Sequence, residues 1–258
     1  MPTTGTAIVT GGSRGIGRAI CTELAERGAD VVVADIDTDR IQGSVDAVEA
    51  AGQEALPIRT DISNFDSVRD CIDQTLARFG SVEMLVNNAG IAGPTAACED
   101  VSPDEWDQTL NVNLRGGFYM CREVLPAMKE AGYGRIVNIA SVTGKRPLVN
   151  RTPYATAKMG IIGFTRTLAA EVGRHDINVN AVCPGSVDGP RIQRVFEQQA
   201  EMDDRSPREV EQEVRDESAR RELVDRETVA NTVAYLCSED SRQITGQDIN
   251  VSAGKVMY

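Results

Sequence analysis

Histidine is nearly missing from this sequence: His175 stands alone among 258 residues. A histidine-rich zinc site is therefore excluded. The six cysteines, at positions 21, 71, 98, 121, 183 and 237, have neither the CxxC spacing of a thiolate site nor the density of a disulfide-stapled fold. They read as buried thiols, and no metal is expected. Long apolar runs are lacking too. No stretch approaches the roughly eighteen residues needed to cross a bilayer, and the N-terminus has neither the basic region nor the hydrophobic core of a secretion signal, so the expected location is the cytoplasm. Lysine is scarce, at 4 against 23 arginines, while 20 Asp and 19 Glu bring the formal charge to -12. Such a surface lacks the concentrated positive field that nucleic acid or an anionic membrane requires. It suits high salt, where carboxylate repulsion is screened; an activity profile falling steadily as salt rises would contradict that expectation.

What is present is an alternation. Residues 6–10 form a short apolar run followed at once by Gly11, Gly12, Gly15 and Gly17. From 16 to 27 the period becomes helical, with Ile16, Ile20 and Leu24 on one face and Gly28 as terminator. Val31, Val32, Val33 and Ala34 then read as a buried strand ending at Asp35. Strand, glycine turn, helix and strand make one right-handed crossover of a parallel sheet. Further strands are predicted at 55–59, 82–86, 135–139, 177–182 and 246–251. Helices are predicted at 67–79, from 103 through Asn113 toward Met128 with a local adjustment, after Pro153, and at 226–236. Continuous apolar strands between helices predict an α/β fold: a doubly wound parallel sheet with helices on both faces, one domain over 1–258. Ligands are then expected at the C-terminal strand ends. Residues 190–227 stand apart, with 8 Arg and 12 acidic residues and only scattered apolar positions. They predict one or two exposed amphipathic helices, placed as a lid over the reaction site or, failing that, as a surface insertion without a part in chemistry.

The run Thr10-Gly11-Gly12-Ser13-Arg14-Gly15-Ile16-Gly17 puts glycines where a chain must turn sharply and approach a ligand without Cβ atoms in the way. It aims the positive end of the following helix at a phosphate. With a strand before and a helix after, the turn from Gly11 through Gly17, Ser13, Arg14 and Ile16 included, is assigned to a dinucleotide. Asp35, closing the second strand, is placed to accept both adenosine ribose hydroxyls and to repel a 2′-phosphate, which favours NAD(H), although Arg14 nearby softens the discrimination. Asp61 is placed to bond the adenine amine and Ile62 to touch the ring; ordinary helix-entry chemistry accounts for both equally well. Asn87, Asn88, Ala89 and Gly90 close the fourth strand with small and amide side chains that can bind backbone or ribose groups.

Tyr154 and Lys158 are four residues apart, on one face of a helix. Thr152 is expected to cap that helix, with Pro153 in its first position. A free phenol, with a pKa of about 10, is a poor base near neutrality, and nearby positive charge lowers that value. Ser141, at a strand end, is placed to orient a substrate oxygen beside Tyr154. Tyr-x-x-x-Lys is common by chance; its weight comes from following a nucleotide-binding half and a strand-end serine.

Together, Thr10–Gly17, Asn87-Asn88-Ala89-Gly90, Asn113, Ser141, Tyr154-Ala155-Thr156-Ala157-Lys158 and Pro184-Gly185 resemble the motif set of the short-chain dehydrogenase/reductase family, over residues 5–254. The resemblance implies a Rossmann-type domain and a catalytic tetrad of Asn113, Ser141, Tyr154 and Lys158. Asn113 would distort its helix and hold a water linking Lys158 to a proton relay, and Lys158 would also bind the nicotinamide ribose. The backbone from Pro184 and Gly185 to Val187 would receive the carboxamide. The chain departs from the pattern at Gly189, where a threonine is frequent, and at Ser252-Ala253-Gly254-Lys255, where Asp-Gly-Gly is frequent. A homotetramer, or a homodimer, built through the helices near 103–130 and 153–173 and the C-terminal strand is implied as well.

The expected activity is NAD(H)-dependent interconversion of a secondary alcohol or polyol and its carbonyl, with Tyr154 as acid/base. Alternatives are an NADP(H)-using carbonyl or 3-oxoacyl reductase, and a non-redox or regulatory NAD(H)-binding protein; the last has no need of Ser141, Tyr154 and Lys158 together. Arg146 and Arg151 offer charge to an anionic substrate and are equally the arginines a solvated loop carries.

Overall fold

The computed structural model describes residues 4–258, so the first three residues of the expected 1–258 domain lie outside the described residues. A seven-stranded sheet in the order β3-β2-β1-β4-β5-β6-β7 forms the centre. Its strands are β1 (Gly5–Thr10), β2 (Ala29–Asp35), β3 (Ala55–Arg59), β4 (Met84–Asn87), β5 (Gly134–Ile139), β6 (Ile177–Pro184) and β7 (Asp248–Val251), and every pairing is parallel. Successive side chains leave a strand on opposite faces, and β2 shows what that does here. Val31 and Val33 enter one core with Ile20, Leu24, Val233 and Leu236. Val32 and Ala34 enter the other with Val68, Met120, Val124 and Val179. Both faces are apolar because both are covered, as the valine runs predict.

The helices on the first face are α1 (Gly15–Glu26), α2 (Gln42–Ala50) and α9 (Arg226–Cys237); on the other lie α3 (Phe65–Phe79), α5 (Gly116–Ala131) and α6 (Thr152–Val172). Helix α4 (Pro103–Leu110) begins with a capping box between Ser102 and Glu105 and runs into α5 through one π turn, Asn111–Arg115. That turn is the local adjustment expected between 103 and 128. Helix α2 was not foreseen: beside Ile41 it turns only Ser44, Val45 and Val48 inward, too few for a helical period to stand out. The 190–227 segment forms α7 (Pro190–Met202) and α8 (Pro207–Asp216), which enclose a small core of Phe196, Ala200, Val210 and Leu223.

Sheet order reverses between β1 and β4, and the C-terminal strand ends on either side of that reversal open a crevice. No helix among the described residues is long and apolar enough to cross a membrane.

Candidate active site

On one side of the crevice lies the glycine turn. Gly11 and Gly15 have φ of 65° and 57°, and a Cβ on Gly17 would lie 2.0 Å from the Gly11 carbonyl oxygen. Glycine is therefore required for the turn to close on α1. Asp35 holds the turn in place: one carboxylate oxygen accepts the Ser13 N–H at 2.9 Å and the other the Asp37 N–H at 2.9 Å. Arg18 donates to the Ser13 carbonyl at 2.6 Å and Ser44 to the Gly12 carbonyl at 2.7 Å, two supports the motif spacing does not reveal. From the β4 side, Asn88 gives its amide to the carbonyls of Thr10 (2.9 Å) and Gly11 (3.1 Å). Asn88 and Ala89 both donate backbone N–H groups to the Thr10 hydroxyl, at 3.0 and 3.1 Å.

The turn has the features of an anion cradle. Arg14, before α1, is in extended conformation and gives the helix no side-chain cap. Among the described residues the buried Ser13 hydroxyl has no partner, and the space beside Gly15 where a Cβ would stand is open. The uncapped N–H groups of a helix start favour phosphate, so these residues fit a dinucleotide. Ile16 packs against the core beneath. Asp61 lies next to Asp35, since the Thr60 N–H donates to the Asp35 carbonyl at 2.9 Å. Its carboxylate accepts from the N–H and hydroxyl of Ser63, at 2.9 and 2.7 Å, which is helix-entry chemistry, and Ile62 is buried against Gly116.

The π turn aims Asn113 inward. Its side chain is buried and clamps Ile91, accepting the N–H at 2.8 Å and donating to the carbonyl at 3.0 Å. A Cβ on Gly90 would meet the Asn113 amide oxygen at 2.7 Å and the Lys158 Nζ at 3.8 Å, so Gly90 leaves room for both side chains beside it. Nearby, a cavity of about 20 Å³ is lined by Thr10, Asn87, Asn113 and Asn138 among others, with room for one water.

Lys158 is buried and donates to the Ile139 carbonyl at 2.7 Å. Burial pulls its pKa down, opposed by the Tyr154 phenol. Ser141 lies two residues beyond the end of β5, and its hydroxyl accepts the Thr143 N–H at 3.1 Å. Tyr154 is half-buried. Burial pushes its phenol up, but Lys158, Arg191, the Ser141 hydroxyl and Arg151 together outweigh that and hold it below its usual value. Thr152 is not the cap: Arg151 holds that position, the Ala155 N–H bonds to its carbonyl at 2.9 Å, and the Thr152 hydroxyl has no partner among the described residues. Helix α6 thus starts one residue earlier than expected, and Pro153 is its second residue.

Beyond β6, the Gly185 N–H donates to Val251 at 2.8 Å, the Ser186 carbonyl accepts from Val224 at 2.8 Å, and Val187 bridges Val224. Pro184 ends the strand against β7.

A crevice with a glycine cradle on one wall and a charge-stabilised phenol on the other matches a known family. The short chain dehydrogenase model matches residues 5–200. The chain belongs to the short-chain dehydrogenase family. This dehydrogenase is 36% identical over 252 residues to the (2S)-[(R)-hydroxy(phenyl)methyl]succinyl-CoA dehydrogenase subunit BbsD of Thauera aromatica, covering 98% of this chain and 96% of that protein. NAD+-bound xylitol dehydrogenase shares its fold with a TM-score of 0.94 at 29% identity, covering 98% of this chain and 99% of that one. An actinorhodin polyketide ketoreductase with NADPH has a TM-score of 0.95 at 34% identity, with 100% of both chains covered. The family consists of oxidoreductases that use nicotinamide cofactors.

In this short-chain dehydrogenase two arginines join the phenol. Arg151 places its guanidinium carbon 5.1 Å from the Tyr154 ring centre and Arg191 places its own at 5.7 Å, the same distance as the Lys158 nitrogen. Arg191 had no spacing to mark it, since it reaches Tyr154 only through the return of the chain after β6. Arg146, the other arginine singled out in the substrate loop, is instead paired with Glu217 at 3.0 Å. Gly189 has φ of 147°, a conformation in which the family's frequent threonine would be strained.

Proposed function

We propose that this dehydrogenase uses NAD(H) to interconvert a secondary alcohol and its carbonyl, with Asn113, Ser141, Tyr154 and Lys158 as the catalytic tetrad. The observation that carries the reading is the convergence of Arg151, Lys158 and Arg191 on the ring of Tyr154, at 5.1, 5.7 and 5.7 Å, cations that hold its phenol below the usual value. Bound nicotinamide supplies the hydride acceptor in oxidation and the hydride donor in reduction. Ser141 orients the substrate hydroxyl. Tyr154, as phenolate, takes the hydroxyl proton while the carbon-bound hydrogen leaves with its electron pair and the C=O bond forms; reduction runs the same path backward. Lys158, fixed by the Ile139 carbonyl, keeps the phenolate favoured and is placed to hold the nicotinamide ribose. Asn113 lines the small cavity in which a water of a proton relay would sit.

The cofactor would be held by the turn from Gly11 to Gly17, including Ser13, Arg14 and Ile16. Asp35 would receive the ribose, Asp61 and Ile62 the adenine, Asn88, Ala89 and Gly90 the middle of the cofactor, and Pro184, Gly185 and Val187 the carboxamide. Asp35 supports NAD(H), because its charge stands where a 2′-phosphate would have to sit. Arg14, exposed beside the turn, favours an NADP(H)-using reductase instead, as does the likeness to the ketoreductase with NADPH. Helices α7 and α8 act as a lid: Gln198 of α7 already reaches Thr95 in the loop beyond β4, at 3.3 Å. Phe118 and Met159 leave apolar surface exposed on α5 and α6, the helices through which a homotetramer would form. Replacing Tyr154 by Phe tests the reading. NADH affinity should persist while absorbance change at 340 nm with alcohols and carbonyls falls by about 1000-fold or more; near-native turnover would defeat it.

A further inference from the structure

Arg151 is 4% exposed. One terminal nitrogen donates to the Ala92 carbonyl at 2.7 Å, and its Nε is buried with no partner among the described residues. Arg191, exposed in the first turn of α7, lies across the same phenol ring. Among the described residues neither has a carboxylate within ion-pair distance. Carboxylates are not scarce: the chain has 39 acidic residues against 27 basic ones. In the same loop Arg146 is neutralised by Glu217, which also takes Lys255 at 2.7 Å. Burying a guanidinium without a counter-ion is unfavourable, and the ring of Tyr154 offsets only part of that cost. Two cations left unpaired on one reacting group, in a chain this acidic, imply that a ligand brings the missing charge.

We propose that the substrate is a hydroxy or oxo acid whose carboxylate lies close in the chain to the reacting carbon, and that Arg151 and Arg191 grip that carboxylate. This rests on Tyr154 being the proton carrier: the reacting oxygen meets the phenol, and the two guanidiniums flank the same ring, so the carboxylate lies only a few bonds away. The planar forks of the two arginines suit a carboxylate. In oxidation the alcohol carbon gives hydride to the nicotinamide, its hydroxyl proton goes to Tyr154, the C=O bond forms, and the carboxylate emerges unchanged. Because Arg151 precedes α6 and Arg191 opens α7, the bound anion ties the lid to the body of the fold.

The test compares matched acids and neutral esters on the holoenzyme: 3-hydroxybutanoate, 3-hydroxyhexanoate and 4-hydroxypentanoate against their methyl esters. Loss of either arginine also raises the phenol pKa, which affects acid and ester alike, so the ratio of their kcat/KM values is the readout. The ratio should favour the acid in the native protein and fall by about 100-fold in Arg151→Gln and in Arg191→Gln, with Arg151→Lys keeping more of it than Arg151→Gln. Separately, calorimetry should find that butanoate binds the NAD-loaded protein in preference to butanamide, and about 10-fold more weakly in either Gln variant. Arg191 is exposed, so its variant stays informative even if that of buried Arg151 fails to fold. An unchanged ratio in Arg191→Gln would overturn the proposal. So would weakened NADH binding with the ratio intact, which would assign Arg191 to the cofactor pyrophosphate. Turnover of esters but not acids removes this inference and leaves the oxidoreductase reading standing. Butanoate binding without any NAD(H)-linked turnover keeps the anion site and removes that reading.

Discussion

Replacing Gly17 by alanine places a Cβ 2.0 Å from the Gly11 carbonyl oxygen and 2.6 Å from the Asn88 amide nitrogen. Ordinary contact begins at 3.4 Å, so the turn and the start of α1 must separate by more than 1 Å. Neither neighbour yields freely. The Gly11 N–H is bonded to the Ala34 carbonyl at 2.7 Å, and Asn88 grips the Thr10 and Gly11 carbonyls. Overpacking against a constrained backbone costs about 3 kcal/mol, at the upper end of the usual range. Gly15→Ala is the control. Its Cβ meets nothing within 4 Å, but its φ of 57° leaves only left-handed strain, about 1–2 kcal/mol. With a urea m-value of about 3 kcal/mol/M, Gly17→Ala should lower the unfolding midpoint by about 1 M and Gly15→Ala by about 0.3–0.7 M. The displaced turn should also weaken NADH binding, read by its fluorescence, by about 10-fold or more. If Gly17→Ala proves no less stable than Gly15→Ala, the turn is looser than its contacts imply and the argument for a rigid cradle fails.

Asp35→Ser removes the carboxylate that holds the Ser13 and Asp37 N–H groups. It should weaken NADH binding about 10-fold and relax rejection of NADPH; unchanged kinetics with both cofactors would sink the assignment. Alcohol oxidation needs the phenolate, so its rate should rise with pH through a midpoint below the usual phenol value of about 10. In Arg191→Gln, with a favouring cation lost, that midpoint should move to higher pH; a shift toward lower pH would contradict the electrostatics. Burial pushes the Asp248 carboxyl up, but bonds to Lys145 and Arg166 outweigh it and hold it below its usual value. Its contribution to stability is therefore complete above about pH 4, the unfolded value, and lost as pH falls through the lower folded one. Asp248→Asn should cost about 2 kcal/mol in urea unfolding at pH 7, a difference that should shrink in acid.

Strands β1 and β2 were legible because a strand covered on both faces is apolar on both, and a valine run has few other uses; β5 and β6 kept enough apolar positions to be read although they bury Arg135, Asn138, Asn178 and Asn180. Strand β4 begins later than its apolar run suggests, because Glu83 turns to take the Thr6 N–H. Helix α2 carried too little apolar area to be read from its period. At the site, the glycine turn, Asp35 and Tyr154-x-x-x-Lys158 were legible because each requirement is local: a positive φ, a strand end, one turn of helix. The meeting of Asn113, Gly90 and Lys158 depends on three separate segments, and only resemblance to a family pointed to it. The contrast between Arg146 and Arg151 was invisible for the same reason. Glu217, which separates the paired arginine from the unpaired one, lies 71 residues further along the chain.

The wide turn at Asn111–Arg115 holds one residue more than ordinary winding would need. Because the turn absorbs that residue, Met120, Cys121, Val124 and Met128 stay pressed on the sheet while Asn113 is turned inward onto Ile91. Trimming one residue there would let ordinary winding close the gap with the downstream face kept, and the loss would fall on Ile91 and the amide that grips it. Trimming one residue from the body of α5 instead would swing everything beyond it through roughly 100°. The length of this rod is negotiable at one point and fixed elsewhere.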